Sequence, residues 1–235
     1  MKKWINIILW DSFKEIKKIP DKSVDLILTD PPYNIAKYST WNIKFDWRKD
    51  INNDLAERDL IDFEPKHLVE EYLRIIKPDW NIFIFTSYNM IGKFHEAFDH
   101  HFDTFQFMVR HKKNPVPNFF KKWFCNSCEL IICCRNKWHK WNFKTQDSMH
   151  NFIESWICMW KERIKWKDGK TLHPTQKPIE ILKHIIEISS NEWDVVFDPF
   201  MWVWSVWEAC KQLKRDFIWI ELNKDYFEAS KERLF

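Results

Sequence analysis

Three short apolar runs in this chain close on an acidic residue: 24–29 runs into Asp30, 195–197 into Asp198, and 217–220 into Glu221. Short runs rich in Val, Ile, Leu and Phe suit strands covered on both faces. Between them the apolar spacing changes to a helical one. Leu68, Val69, Tyr72, Leu73 and Ile76 share one face, and Ile179, Leu182, Ile185 and Ile186 share another. Strands alternating with helices predict an α/β fold with an open, mostly parallel central sheet and helices on both faces. Such sheets hold ligands at the carboxyl ends of their strands, where the three acids fall.

Further strands are expected over 5–9, 81–86, 105–109 and 130–134, and helices over 91–98, over 205–213 and from about 223 onward. Pro78 is expected to stop the helix before 81–86, and Pro178 suits the first position of the next helix. The stretch 35–59 reads as a covering loop. The stretch 137–170 is basic, irregular and rich in Trp, His and Lys, and reads as an exposed insertion in a single domain covering 1–235.

A chain of 235 residues can bury a sizeable core. Its net charge of +3 permits an encounter with a polyanion without arguing for one. No charged-then-apolar leader and no apolar run of membrane-spanning length is visible, so a soluble cytoplasmic protein is expected. Four of the six cysteines, Cys125, Cys128, Cys133 and Cys134, crowd together. No second pair follows at finger spacing and 129–134 reads as a strand, so structural cysteine is expected and no metal.

The sharpest local signal is Asp30-Pro31-Pro32-Tyr33. Two prolines after a strand fix a rigid extended turn that no helix can absorb. With an acid before them and a ring after them, the turn offers a carboxylate acceptor, a fixed carbonyl and a stacking surface. That set suits a planar base bearing an amino group, although an ordinary turn, with Asp as cap and Tyr as packing, reads the tetrapeptide as well. The second signal is Asp198-Pro199-Phe200, followed by a helix and a strand ending in Glu221. In nucleoside-binding sheets an acid about 20 residues on takes the ribose hydroxyls.

Asp30-Pro31-Pro32-Tyr33, His173-Pro174-Thr175-Gln176-Lys177-Pro178 and Asp198-Pro199-Phe200 before a helix, in that order, resemble the β-group of S-adenosylmethionine-dependent DNA amino-methyltransferases. The resemblance covers about 5–234 and implies a Rossmann-like methyltransferase fold. It implies that Asp30 and the Pro31 carbonyl accept hydrogen bonds from a flipped-out base, with Pro32 shaping the turn and Tyr33 stacking on the base. It implies that Asp198, Pro199, Phe200 and Glu221 line S-adenosylmethionine, Glu221 on the ribose, with Lys177 over the methionine end and Asp11 toward the adenine end. Duplex DNA is the implied partner. Lys137, His139, Lys140, Lys144 and Arg163 of the basic insertion are its expected phosphate contacts. A homodimer and a cognate restriction endonuclease are further partners that the resemblance raises. Asp in the tetrapeptide favours adenine N6; cytosine N4 is the alternative. Methylation of RNA or of a protein amide would use the same chemistry.

Where the family reads Asp-Pro-Phe-x-Gly-x-Gly-Ser, this chain has Trp202 and Trp204. Trp10, Trp80, Trp193, Trp207 and Trp219 likewise stand where relatives or turns ask for glycine. The chain holds 2 Gly and 16 Trp. Exchanging fourteen, and keeping Trp47 and Trp141, would bring glycine to the usual share of about 7%. One consistent substitution points to decoding: a UGA codon meant as glycine and read as tryptophan. With glycine restored, an active enzyme is expected. With genuine indoles at Trp202 and Trp204, the chain is expected to fold poorly and bind no cofactor, a catalytically inactive DNA-binding relative at best. The gene is expected to carry UGA at these fourteen positions; UGG on sequencing would make the tryptophans real.

Overall fold

The computed structural model describes residues 5–9, 11–33, 43–45, 48–51, 63–117, 121–122, 124–159, 176–201, 205–224 and 227–228. The strands are β1 (Ile5–Leu9), β2 (Val24–Thr29), β3 (Ile43–Phe45), β4 (Arg48–Ile51), β5 (Ile76–Thr86), β6 (Thr104–Lys112), β7 (Cys128–Arg135), β8 (Phe152–Ser155), β9 (Val195–Asp198) and β10 (Asp216–Glu221). The helices are α1 (Ser12–Glu15), α2 (Lys66–Ile75), α3 (Ile91–Phe98), α4 (Ile179–Ser189) and α5 (Ser205–Gln212). β3 and β4 form a separate antiparallel pair. The other eight strands form one sheet in the order β1-β10-β9-β2-β5-β7-β6-β8.

Pairing is parallel from β1 through β10, β9 and β2 to β5. β7 then runs antiparallel to both β5 and β6, and β8 is parallel to β6. Seven strands of this sheet therefore point one way and β7 alone runs back. β2 is buried along its whole length, as a central strand of an α/β sheet should be. Its pleat divides the core: Ile27 faces the cluster of Leu68, Tyr72, Phe94 and Phe98 from α2 and α3. Leu26 and Leu28 face Ile181, Leu182, Ile185, Ala209 and Cys210 from α4 and α5. Each such aliphatic side chain stabilises the fold by roughly 1.5–3 kcal/mol through burial.

α2 stops at Ile75, before Pro78, as expected. The chain turns directly into β5, which starts five residues earlier than the apolar run alone indicated. The described part of the basic stretch, 137–159, is largely exposed and contains one strand. Residues 152–155 form β8, a half-exposed edge strand of the main sheet, where an irregular segment was expected. Cys134 is buried in the core and burial raises its thiol pKa, whereas Cys125 and Cys128 are exposed.

The amino ends of the strands are closed by an ionic cluster. Lys140 Nζ lies 2.9 Å from Asp25 at the start of β2 and 3.1 Å from Asp194 before β9, and Asp79 stands at 3.5 Å. Lys77 contacts the other oxygen of Asp25 at 2.7 Å. Burial pushes Asp25 up, but hydrogen bonds from Lys77, the Val195 N–H and Lys140 hold it below its ordinary value. Lys144 pairs with Glu187 on α4, the Lys137 N–H donates to Asp103, and His139 Nδ1 lies 2.7 Å from the Asn136 carbonyl. The described residues expected to contact DNA thus lie at this end of the sheet. Lys140 is a structural cation, and Lys137, His139 and Lys144 share its end of the molecule, opposite Asp30. Arg163 lies outside the described residues.

Trp193 has φ 71°, in the left-handed region that penalises any side chain and a bulky one most. It forms the turn into β9, its N–H donating to the Lys214 carbonyl at 2.8 Å. Its side chain is half exposed, so little packing offsets the strain. Trp219 shows a different mismatch: it is buried, and its indole N–H has no hydrogen-bond partner among the described residues. Trp193→Gly is expected to stabilise the protein by about 1 kcal/mol, read as a shift in the urea midpoint. An unchanged or lower midpoint would count against glycine at this turn.

Candidate active site at the carboxyl ends of the strands

The strand order lines up the sequence-predicted acids. Asp11 follows β1, Glu221 ends β10, Asp198 ends β9 and Asp30 follows β2, on four successive strands. Neighbouring strands lie about 4.8 Å apart, so positions as distant in sequence as Asp11 and Glu221 become neighbours in one row.

Asp11 caps α1, accepting from the Phe13 N–H at 3.0 Å. The Ser12 hydroxyl donates to the Pro199 carbonyl at 2.5 Å and ties that turn to the row. Glu221 is buried, and one oxygen accepts from the Asn223 N–H at 2.7 Å. Phe200 packs edge-on to Phe63 with centroids 5.8 Å apart. Trp202, Trp204 and 173–175 lie outside the described residues.

Asp198 holds the turn from within. Its Oδ1 accepts from the Phe200 N–H at 3.0 Å and from the Thr29 hydroxyl at 2.8 Å, joining the end of β9 to the end of β2. Burial is the main cause that pushes its carboxyl from 3.8 up to about 7; the two hydrogen bonds pull it down and the charge of Asp30 pushes it up.

Pro31 and Pro32 are buried and Tyr33 is partly so. The Tyr33 carbonyl accepts from Asn89 Nδ2 at 3.0 Å, which pins the end of the tetrapeptide to the turn after β5. The Tyr33 hydroxyl donates to Asp30 Oδ1. Lys177 arrives from the segment before α4 and contacts the same group. Its Nζ is 2.9 Å from Asp30 Oδ2 and 3.1 Å from the Tyr33 hydroxyl. It also lies over the Tyr33 and Phe85 rings, 5.3 and 5.1 Å from their centroids. Lys177, expected over the methionine end of a cofactor, thus contacts the tetrapeptide.

Beyond β5 the rim turns cationic. Arg110 at the end of β6 is buried, 2.6 Å from Glu129 of β7, and donates to the Ser155 hydroxyl at 2.9 Å. Lys112 stands 3.8 Å from Glu129. Burial pushes Glu129 up, yet the charges of Lys177, Arg110 and Lys112 hold it down at about 2. Lys121 and Lys122 are exposed on the β6–β7 connection, as is nearly all of Phe124. Sequence reasoning passed over this stretch. Its signal was there in the lysine pairs 112–113 and 121–122 flanking the prolines 115 and 117.

A family described as DNA methylase, of N6 and N4 methyltransferases, matches residues 24–232. The chain belongs to that family. It is 32% identical to the type II methyltransferase M.HinfI of Haemophilus influenzae, over 98% of this chain and 68% of that protein. It is 31% identical to the type II methyltransferase M2.LlaDCHI of Lactococcus lactis subsp. cremoris, over 95% and 87%. Its fold is similar to the crystal structure of the M1.HpyAVI–SAM complex, with a TM-score of 0.68 at 27% identity over 97% of this chain and 98% of that one. The cytosine-N4-specific PvuII DNA methyltransferase shares the fold with a TM-score of 0.71 at 16% identity, over 97% and 86%.

The raised Asp198 pKa gives this methylase a pH signature. A carboxyl that binds its proton more tightly folded than unfolded contributes stability fully present below about pH 4, its unfolded value. That contribution is lost as pH rises to about 7, where the folded group ionises. Asp198→Asn keeps an acceptor for Thr29 and Phe200 but cannot ionise. The stability of the parent relative to Asp198→Asn should therefore fall across that window in urea titrations. A constant difference would mean that Asp198 is not buried as a neutral acid.

Proposed function

We propose that this DNA methylase transfers a methyl group from S-adenosylmethionine to the exocyclic N6 of adenine in duplex DNA. The observation that carries the reading is Asp30, at the end of β2, beside the Tyr33 ring and next in line to the acids of β9, β10 and β1. An amino nitrogen conjugated into a base is a poor nucleophile. Asp30 and the Pro31 carbonyl would accept its two N–H groups and draw the lone pair out of the ring plane toward the donor. Alignment in that position supplies much of the acceleration, with Asp30 also opposing the positive charge that grows on nitrogen. The proton then leaves the methylated amino group for solvent. A base inside a duplex cannot reach this turn, so it must be flipped out, and Tyr33 gives it a surface to stack on.

The donor set fits the cofactor. Glu221 and Asp11 offer acceptors for ribose hydroxyls and the adenine amino group, and the acid row suits a cationic sulfonium. When bound, S-adenosylmethionine supplies an electrophilic methyl group there. Trp202 and Trp204 follow directly on Asp198-Pro199-Phe200, so the activity is proposed for a chain with glycine at those two positions. For DNA contacts we favour Lys113, Lys121 and Lys122 over the basic residues of 137–144, because the former lie on the Asp30 side of the sheet.

The test is methylation of plasmid DNA by the W202G/W204G chain, followed by nucleoside digestion. N6-methyladenine is expected; N4-methylcytosine would reassign the target, and no methylated base would overturn the reading. Asp30→Ala should lower kcat by roughly 10²–10³-fold, as loss of one preorganised polar contact does elsewhere. Calorimetry should show cofactor binding by W202G/W204G and none by the chain with both tryptophans.

A further inference from the structure

Lys177 occupies the place on Asp30 that an incoming amino group needs. It presents a nitrogen donor 2.9 Å from Oδ2, bracketed by the rings of Tyr33 and Phe85. The two donors exclude each other there on steric grounds, and also on electrostatic ones. Positive charge develops on the amino nitrogen during methyl transfer, and an ammonium in contact with Asp30 would cancel the charge that stabilises it. Nor can the ammonium simply be released, since the Lys177 and Asp30 side chains are only 8% and 16% exposed. Breaking a buried pair without a substitute partner is strongly unfavourable.

A substitute stands one strand further along. In the order β2-β5-β7, Asp30 follows β2 and Glu129 lies in β7, with β5 between them. Thr86 pairs with Leu130, the residue next to Glu129, and Phe85, the ring under Lys177, pairs with Ile131. The lysine thus rests above β5 between two carboxylates. The charges of Lys177, Arg110 and Lys112 together hold Glu129 ionised against burial.

We propose that Lys177 is a positioning residue that keeps the amino-group place on Asp30 until the base arrives, and that Glu129 is the carboxylate that then receives its ammonium. This rests on the amino-methyl transfer proposed above. Moving between the two anions, Lys177 avoids being stranded without a counter-charge, and Asp30 regains its full charge when the base is seated. Arg110 and Lys112 hold Glu129 in place for the exchange.

The experiment measures base flipping directly. In the W202G/W204G chain, Lys177→Met and Glu129→Gln are compared by emission from duplexes that keep the target adenine and carry 2-aminopurine as its neighbour, without cofactor. Lys177→Met should raise the flipped fraction by roughly tenfold, the factor that one charge-assisted hydrogen bond is worth. Glu129→Gln should lower it, and Glu129→Asp should restore it. Merely structural roles would move both variants the same way, in step with their thermal stability. If Glu129→Gln does not fold, Lys177→Met alone decides. A parent that methylates its duplex while Lys177→Met shows no gain in flipping overturns the placeholder role but leaves the methyltransferase reading intact. A parent that methylates nothing overturns both.

Discussion

The parallel alignment of β2 between β9 and β5 is the constraint on which the rest of the molecule depends. It gathers the ends of β1, β10, β9, β2 and β5 at one rim, and with them Asp11, Glu221, Asp198 and Asp30. The hydrogen bond from Thr29 to Asp198 locks that alignment at the reactive end. The Lys140 cluster with Asp25, Asp79 and Asp194 locks it at the other. A register slip of one residue in β2 would exchange Ile27 with Leu26 and Leu28 between the two cores and draw Asp30 off the row.

Along the rim the chemistry changes from one side to the other. Acids occupy the β1 to β2 side, where a sulfonium cofactor is proposed. Arg110, Lys112 and the exposed Lys121 and Lys122 occupy the β6 and β7 side, toward a polyanion. Lys177 and Tyr33 mark the boundary between them.

What could be read from the sequence was whatever depends on neighbours along the chain. Apolar runs gave β2, β9 and β10 within a residue or so, Pro78 marked the end of α2, and the acids at strand ends were visible as such. Partners set by the tertiary fold were not visible. Lys140 reads as one more lysine in a basic stretch, and only the fold shows it between three aspartates. β8 was hidden because a four-residue edge strand, half exposed, carries no apolar run. The contact of Lys177 with Asp30 was not visible either, because its neighbours in sequence say nothing about which carboxylate its long side chain reaches. The excess of tryptophan over glycine was visible in the composition, and the left-handed Trp193 is one turn of the backbone that favours glycine.

β7 runs back against the other seven strands, and this gives the β6–β7 connection an unusual freedom. A parallel neighbour would require a crossover returning to the far end, and its length would be fixed by the layer of helices it had to span. The reversed strand lets the chain leave the rim after β6 and return to it at β7 without a crossover past the helices. That hairpin is therefore a socket: segments of different length and composition can be installed beside the proposed base-binding turn while the sheet beneath stays as it is.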